Sequence, residues 1–287
     1  MYKVTSEIYG ETNYNSIKGD NGRVLSKFKF KYPQDDENVV AQNGMLVDKD
    51  GDLIVQRKRG STLDGVIAIE HSEATELRLV GLQVWRGALL LADYIFHKRT
   101  EFRDKFILEL GAGVGLTSIA AALYAQQVVC TDVNVGGILD LIRENVKHNS
   151  KLLQNRNNIN VLELDFLKPI EEYAPALLRA IANCDIVVAA DVIYDDDLTN
   201  AFIRVIDVFF ERGRLSGKNK TVLIALEKRY VFTLTELDTT APMFEYFLKQ
   251  TMHKPWLFEY IDTNSFSQYF EYDRSRHLVL LKVTYEK

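Results

Sequence analysis

The sequence predicts an α/β fold built on a doubly wound, mostly parallel sheet, and three observations predict it. An apolar run at residues 106–110 breaks into a turn with glycines at Gly111, Gly113 and Gly115. A second apolar run, 127–131, ends in an acid, Asp132. From about residue 66 onward, apolar runs alternate with stretches of helical periodicity. Strand, glycine turn, helix, strand and carboxylate in this order make a crossover that suits a nucleoside-type ligand. The turn lets backbone approach the ligand, and the acid accepts hydrogen bonds from ribose hydroxyls.

Each element follows from local pattern. Residues 27–32 read Lys-Phe-Lys-Phe-Lys-Tyr, a period of two that places Phe28, Phe30 and Tyr32 on one face of a strand and Lys27, Lys29 and Lys31 on the other. The flanking residues 10–22 and 32–43 read as loops or partial disorder. Residues 48–52 open like a calcium loop, but Leu53 and Arg59 stand where Gly and Glu are required, so a turn before a strand at 52–57 is expected. Residues 66–70 suggest a strand. Residues 84–97 carry Leu89, Leu90, Leu91, Tyr94 and Ile95 at helical spacing. Strands are then predicted near 105–110, 127–131, 159–164, 185–190 and 221–226, with helices near 115–126, 136–149, 173–182, 197–211 and 239–250. The strands show little alternation, as expected where helices cover both sheet faces, and repeated β-α units imply right-handed crossovers. Residues 257–261 and 277–283 read as two strands without a helix between them, hence an antiparallel hairpin at one edge. The expected division is an N-terminal extension over 1–65, partly strand and partly flexible, and a sheet domain over 66–287.

Composition narrows the function. The chain has 287 residues, 47% hydrophobic and 26% charged, with a net charge of −5. A general nucleic-acid binder would be basic, so direct nucleic-acid binding is not expected. Two cysteines, Cys130 and Cys184, make no disulfide framework and point to a reducing compartment. The five histidines, His71, His97, His148, His253 and His277, are scattered, so no metal site is expected. There is no G-x-S-x-G nucleophile motif. Residues 1–10 lack the apolar run of a leader, and apolar stretches such as 88–92 and 186–190 are too short to cross a bilayer, so no membrane association is expected.

The glycine spacing points to one class of ligand, a tight packing turn with no ligand being its other reading. A dinucleotide turn follows G-x-G-x-x-G and seats a pyrophosphate on a helix N-terminus. Here the turn is Gly111-Ala112-Gly113-Val-Gly115, with Leu116 at the third dinucleotide position and Glu109 two residues ahead. This E-x-G-x-G-x-G form is usual for S-adenosylmethionine methyltransferases, whose ligand has an amino-acid end and a sulfonium but no phosphate. Glu109 would help hold the ammonium of that end, and Gly111, Ala112 and Gly113 would approach the ligand. Asp132, 21 residues after Gly111, would accept from the ribose hydroxyls; capping of the following helix is its other reading. Asp165 would accept from the adenine amino group and Phe166 would cover the ring; a loop acid and a core Phe are the alternatives. Trp85, at a helix start, would wall the cofactor or serve as plain core.

The stretches Val84-Trp85-Arg-Gly-Ala-Leu-Leu-Leu-Ala92, Leu108-Glu-Leu-Gly-Ala-Gly-Val-Gly115, Ala190-Asp-Val-Ile-Tyr194 and Glu227-Lys-Arg229 together resemble the seven-β-strand protein-lysine methyltransferases of family 16, over about residues 66–287. Asp191-Val-Ile-Tyr194 matches that family's D-x-x-Y motif after the fourth strand. One departure is Phe166, where the family usually has Trp. The resemblance implies a seven-stranded Rossmann-like methyltransferase sheet and transfer of methyl groups from S-adenosyl-L-methionine, with S-adenosyl-L-homocysteine as product. It places Ala190 at the cofactor and implies a protein substrate presenting a lysine. Chaperones and nucleic-acid-associated factors, among them a Kin-type nuclear DNA/RNA-binding protein, are the implied partner classes. A monomer in the nucleus or cytoplasm, the nucleus favoured, is expected. Asp191 would orient the target amine and Tyr194 would wall the transfer channel; their other reading is a helix-capping Asp and a Tyr packed on the sheet. Asp195, Asp196 and Asp197 suit a helix N-terminus and could also draw a lysine-rich target. Two competing readings remain at this stage: a nicotinamide-dependent oxidoreductase on a similar fold, and a methyltransferase-like module that only binds partners.

Overall fold

The structure, a computed structural model, describes residues 3–19, 22–33, 64–154, 157–233 and 238–286. The calcium-like stretch at 48–52, the strand expected at 52–57 and most of the loop expected at 32–43 lie outside the described residues. The short helix α1 (Ile8–Glu11) precedes a three-stranded antiparallel sheet of β1 (Ile17–Lys18), β2 (Val24–Lys31) and β3 (Asp64–His71). The period-two strand is as read: Phe28 and Phe30 are buried, and Lys27, Lys29 and Lys31 are exposed. The boundary expected at 65/66 falls inside β3, which pairs along its whole length with β2. The outer edge of β3 is held by the C-terminal end of the helix Ile138–His148. Asn145 Oδ1 accepts from Glu70 N–H and Asn149 Oδ1 from Ala68 N–H, while their amides donate to the carbonyls of the same two residues. Two side chains thus extend the ladder where the sheet meets a helix.

A 3-10 segment (Leu77–Leu82) leads into α2 (Arg86–His97) and the short α3 (Arg99–Phe102). The β-α series follows: β4 (Phe106–Leu110), α4 (Leu116–Ala122), β5 (Gln127–Asp132), α5 (Ile138–His148), β6 (Ile159–Glu163), α6 (Pro175–Asn183), β7 (Ile186–Ala190), α7 (Asp196–Ser216) and β8 (Thr221–Glu227). A two-strand hairpin, β9 (Val231–Thr233) and β10 (Asp238–Thr240), comes before α8 (Pro242–Thr251); it is absent from the sequence-based expectation. The chain closes with β11 (Trp256–Ile261) and β12 (Leu278–Tyr285).

The seven-stranded sheet has the order β11-β12-β8-β7-β4-β5-β6. The neighbours from β8 to β6 pair in parallel, and β12 is antiparallel to both β8 and β11. One core lies between the sheet and α2, α4 and α5, and another between the sheet and α6, α7 and α8. The strand order reverses between β4 and β7, so a crevice opens at their carboxyl ends.

The β11–β12 connection stays ordered without a helix because a buried carboxylate holds it. Asp93 on α2 accepts from the N–H groups of Tyr269 and Phe270 (2.7 and 2.9 Å), from Tyr272 Oη (2.8 Å) and from Arg274 Nη2 (2.6 Å). By length and composition Leu77–His97 could cross a membrane, although no single apolar run suggested it. Its apolar character is spread over two helical pieces interrupted at 83–85. In this fold 67% of its apolar window is buried within the protein, as suits a core helix.

Candidate active site

After Leu110 the chain must reverse within a few residues to begin α4. Gly111, Gly113 and Gly115 all take positive φ, 66°, 57° and 86°, a region that side chains disfavour. The turn is also crowded. A Cβ on Gly111 would lie 2.7 Å from Val192 Cγ1, and one on Gly113 would lie 2.9 Å from the Gly81 carbonyl oxygen. Backbone therefore approaches backbone here, and the N–H groups face an acid. Gly113 N–H donates to Asp132 Oδ2 at 2.7 Å, and Val133 N–H donates to Oδ1 at 2.8 Å. Asp132 does not cap the next helix; Gly137 occupies the N-cap of α5.

A cavity of about 640 Å³ opens over this turn. Every site residue named from the sequence lines it: Trp85, Glu109, Gly111, Ala112, Gly113, Asp132, Asp165, Phe166, Ala190, Asp191 and Tyr194. The 3-10 segment Leu77–Leu82 also lines it. Sequence reasoning missed that segment, since nothing in its periodicity marks a wall.

The electrostatics differ from residue to residue. Glu109 is 1% exposed and its carboxylate accepts from Ser118 Oγ on α4. Burial pushes its carboxyl up to about 7, against the Ser118 hydrogen bond. Near neutral pH it carries only part of a charge, which weakens it as an anchor for an ammonium. Burial also raises Asp132 to about 6, opposed by the two backbone N–H groups. Asp165 sits at the end of β6, where its Oδ1 accepts from Leu167 N–H at 2.9 Å. The Phe166 ring packs on Phe202, 5.8 Å between centroids, and reaches the flank of Gly111. Trp85 is half-buried and opens α2. Its Nε1–H donates to the Val80 carbonyl at 3.0 Å, and the Arg229 guanidinium lies 4.9 Å from its ring centre.

Asp191 follows β7 with φ +52°, an uncommon backbone state for a residue other than glycine. Three hydrogen bonds hold it there. Its own N–H donates to the Ala225 carbonyl at 2.8 Å. Its Oδ2 accepts from Gly87 N–H at 2.7 Å, and its Oδ1 accepts from Glu227 N–H at 2.9 Å. The side chain thus caps α2, which has no cap from its own Trp85, and ties that helix to the end of β8. Each oxygen keeps a further lone pair for a ligand. Burial raises this carboxyl to about 6. Tyr194 stands at the rim, 42% exposed. Partial burial, then the Asp132 and Asp195 charges, push its hydroxyl up to about 12. Asp195 is the N-cap of α7, accepting from Leu198 N–H at 3.0 Å, with Asp196 and Asp197 in the first turn. This accounts for the acid run without a ligand, although Asp195 also lines the cavity.

Two residues that support the site from behind its lining escaped sequence reasoning, Arg86 and Glu11. Arg86 Nη1 donates to both oxygens of Glu227 at 2.7 and 2.8 Å, while its Nε donates to Glu11 Oε1 at 2.8 Å. Glu227 was visible only as part of a motif, and no local signal marked its partner.

The profile of a family described as lysine methyltransferase matches residues 65–240. The chain is 36% identical to Methyltransferase-like protein 22 of Mus musculus, over 84% of this chain and 65% of that protein. It is 37% identical to the Homo sapiens protein of the same name, over 84% of this chain and 63% of that protein. It is also 29% identical to Protein N-lysine methyltransferase METTL21A of Mus musculus, over 61% of this chain and 75% of that one. The chain spans just under two thirds of the length of the first two relatives.

Proposed function

The chain belongs to the lysine methyltransferase family, and from that premise we propose that it transfers methyl groups from S-adenosyl-L-methionine to the side-chain amine of a lysine in a defined protein. One observation carries the reading. The turn and Asp132, suited to a nucleoside, and Asp191 with Tyr194, suited to an amine, line a single cavity. The cavity fits the cofactor: Cβ atoms would fill the cradle at Gly111 and Gly113, and Asp132 lies beside that turn with lone pairs left for ribose hydroxyls.

When bound, S-adenosylmethionine supplies an electrophilic methyl carbon and a sulfonium charge that disfavours a protonated amine beside it. The amine must be neutral to attack. With an unperturbed lysine pKa of about 10.4, deprotonation at neutral pH costs roughly 4–5 kcal/mol. The chain's part is to hold the amine in line and keep water out. Asp191 accepts a hydrogen bond from the amine with a lone pair its backbone donors leave free. Tyr194 and Trp85 supply the walls. Glu109 and the backbone at Ala112 would hold the amino-acid end of the cofactor, and Asp165 and Phe166 its adenine.

The finer reading rests on family resemblance. On it the target is a nuclear DNA/RNA-binding protein of the Kin type, with chaperones as a second class, and the enzyme is a monomer of the nucleus or cytoplasm, the nucleus favoured. Calorimetry with S-adenosylhomocysteine tests the cofactor; absence of heat at high protein concentration overturns the reading. Incubation with labelled S-adenosylmethionine and a cell extract, followed by identification of the labelled residue, tests the substrate. Replacing Asp191 by Ala should leave S-adenosylhomocysteine affinity within a few-fold while turnover falls about 100-fold, the scale of a misplaced reactant. Normal turnover in that variant removes Asp191 from the mechanism.

A further inference from the structure

The segment entering α2 is gripped along its length by the first residues of the chain. Gln83 Oε1 accepts from Ser6 N–H at 2.8 Å, and its Nε2 donates to the Val4 carbonyl at 3.0 Å. Val84 N–H donates to Tyr9 Oη at 2.8 Å. Arg229, stacked on Trp85, pairs with Glu7 at 3.1 Å. Arg86 pairs with Glu11, through both Nε and Nη2. The last contact matters most, because Arg86 reaches the same two backbone segments that hold Asp191. It precedes Gly87, whose N–H binds Asp191 Oδ2. It also binds the carboxylate of Glu227, whose N–H binds Asp191 Oδ1. The three side chains are largely out of solvent, with 13%, 16% and 8% exposure for Arg86, Glu11 and Glu227. Glu11 Oε2 accepts in addition from Asp273 N–H at 2.9 Å, on the β11–β12 connection.

We propose that Glu11 is a positioning residue for methyl transfer: through Arg86 it sets the relative placement of the α2 start and the β8 end, and hence the orientation of the Asp191 carboxylate. The N-terminal segment then belongs to the catalytic apparatus, with Glu11 acting at the amine end of the cavity. This assignment rests on the reading of Asp191 as the group that orients the amine. A planar guanidinium locked between two carboxylates fixes both anchors at once. With Glu11 neutral, Arg86 keeps Glu227 but its second point of fixation loses its charge and weakens. The two N–H donors to Asp191 can then shift relative to each other, and a shift of about 1 Å at the reacting groups costs on the order of 100-fold in rate.

The test compares the full chain with Glu11→Gln and Glu11→Asp. It reads S-adenosylhomocysteine affinity by calorimetry, label incorporation from S-adenosylmethionine into cell-extract protein, and melting temperature. Glu11→Gln should lose tenfold or more in labelling rate with affinity changed less than twofold. Glu11→Asp keeps the charge with a shorter reach and should recover part of that loss. A rate equal to the parent in Glu11→Gln overturns the proposal. So does a parallel fall of affinity and rate, which a merely structural role produces. If Glu11→Gln does not fold, Glu11→Asp decides: a several-fold slower rate at parental affinity supports the assignment, and a parental rate overturns it. A parent chain that binds no S-adenosylhomocysteine overturns instead the reading of the site on which the assignment rests.

Discussion

Asp132 shows how one residue sets opposite pH dependences for binding and for folding. Its carboxyl stands at about 6, against an ordinary 3.8. On the proposed reading ribose hydroxyls donate to the ionised form, so cofactor affinity should fall as pH drops through 6. About one tenth of the group is ionised at pH 5, and calorimetry should find S-adenosylhomocysteine roughly tenfold weaker there than at pH 7.5. Folding runs the other way. A carboxyl raised in the folded state contributes stability that is fully present below its unfolded pKa and is lost as pH rises through the folded value. Asp132 and Asp191, both near 6, and Glu109, near 7, share this sign. The part of the stability due to these three should therefore decline between about pH 4 and 7. Asp132→Ala should flatten that dependence in thermal melts. It should also weaken S-adenosylhomocysteine binding by about 100-fold or more, since hydrogen bonds to a charged group contribute about 1.5–3 kcal/mol each. Glu109, Asp132 and Asp191 were all legible in the sequence as acids ending apolar strands. Their titration was not, because it depends on which neighbours enclose them.

The elements around the site combine strain with close approach. The turn between β4 and α4 needs Gly113 for two separate reasons, φ +57° and the Gly81 carbonyl 2.9 Å from any Cβ. Gly113→Ala should cost about 1–3 kcal/mol in urea unfolding, the scale of a residue forced into a sparse backbone region. It should also abolish S-adenosylhomocysteine binding, because the Gly81 segment that lines the cavity must move. The glycine spacing announced this turn directly, since no other common reason places three glycines at alternate positions after an apolar run. The start of α2 is the opposite case. Trp85 provides no side-chain cap, and the cap comes from Asp191, 104 residues after the Gly87 whose N–H it accepts. Helix periodicity marks α2 but says nothing of what stabilises its first turn.

For the whole molecule, the arrangement that makes the site is the reversal of strand order between β4 and β7, which opens the crevice without an extra element. The antiparallel β12 and the lock at Asp93 keep the other end closed. Asp93 is fully buried and serves two N–H groups, a tyrosine hydroxyl and the Arg274 guanidinium. Asp93→Ala strands the Arg274 charge, whose side chain is 10% exposed. The expected cost is about 3–5 kcal/mol, the scale for breaking a buried pair, read from chemical denaturation, with the cavity side of the sheet least affected.

Apart from the β9–β10 hairpin and the wall at Leu77–Leu82, which it did not reveal, the sequence by itself determined the β-α series of the sheet domain, the antiparallel closing pair and the glycines, acids and aromatics that line the cavity. These rest on hydrophobic period, glycine spacing and acids at strand ends, all of which act within a few residues along the chain. Tertiary structure alone decided that β3 joins β2 rather than the large sheet, that Asn145 and Asn149 continue a strand edge, and that Arg86 bridges Glu11 and Glu227. Those partners lie 75 and 141 residues from Arg86. Such polar pairings have no period to reveal them: each forms because the sheet has already brought distant segments together, and burial then leaves their charges no solvent to turn to.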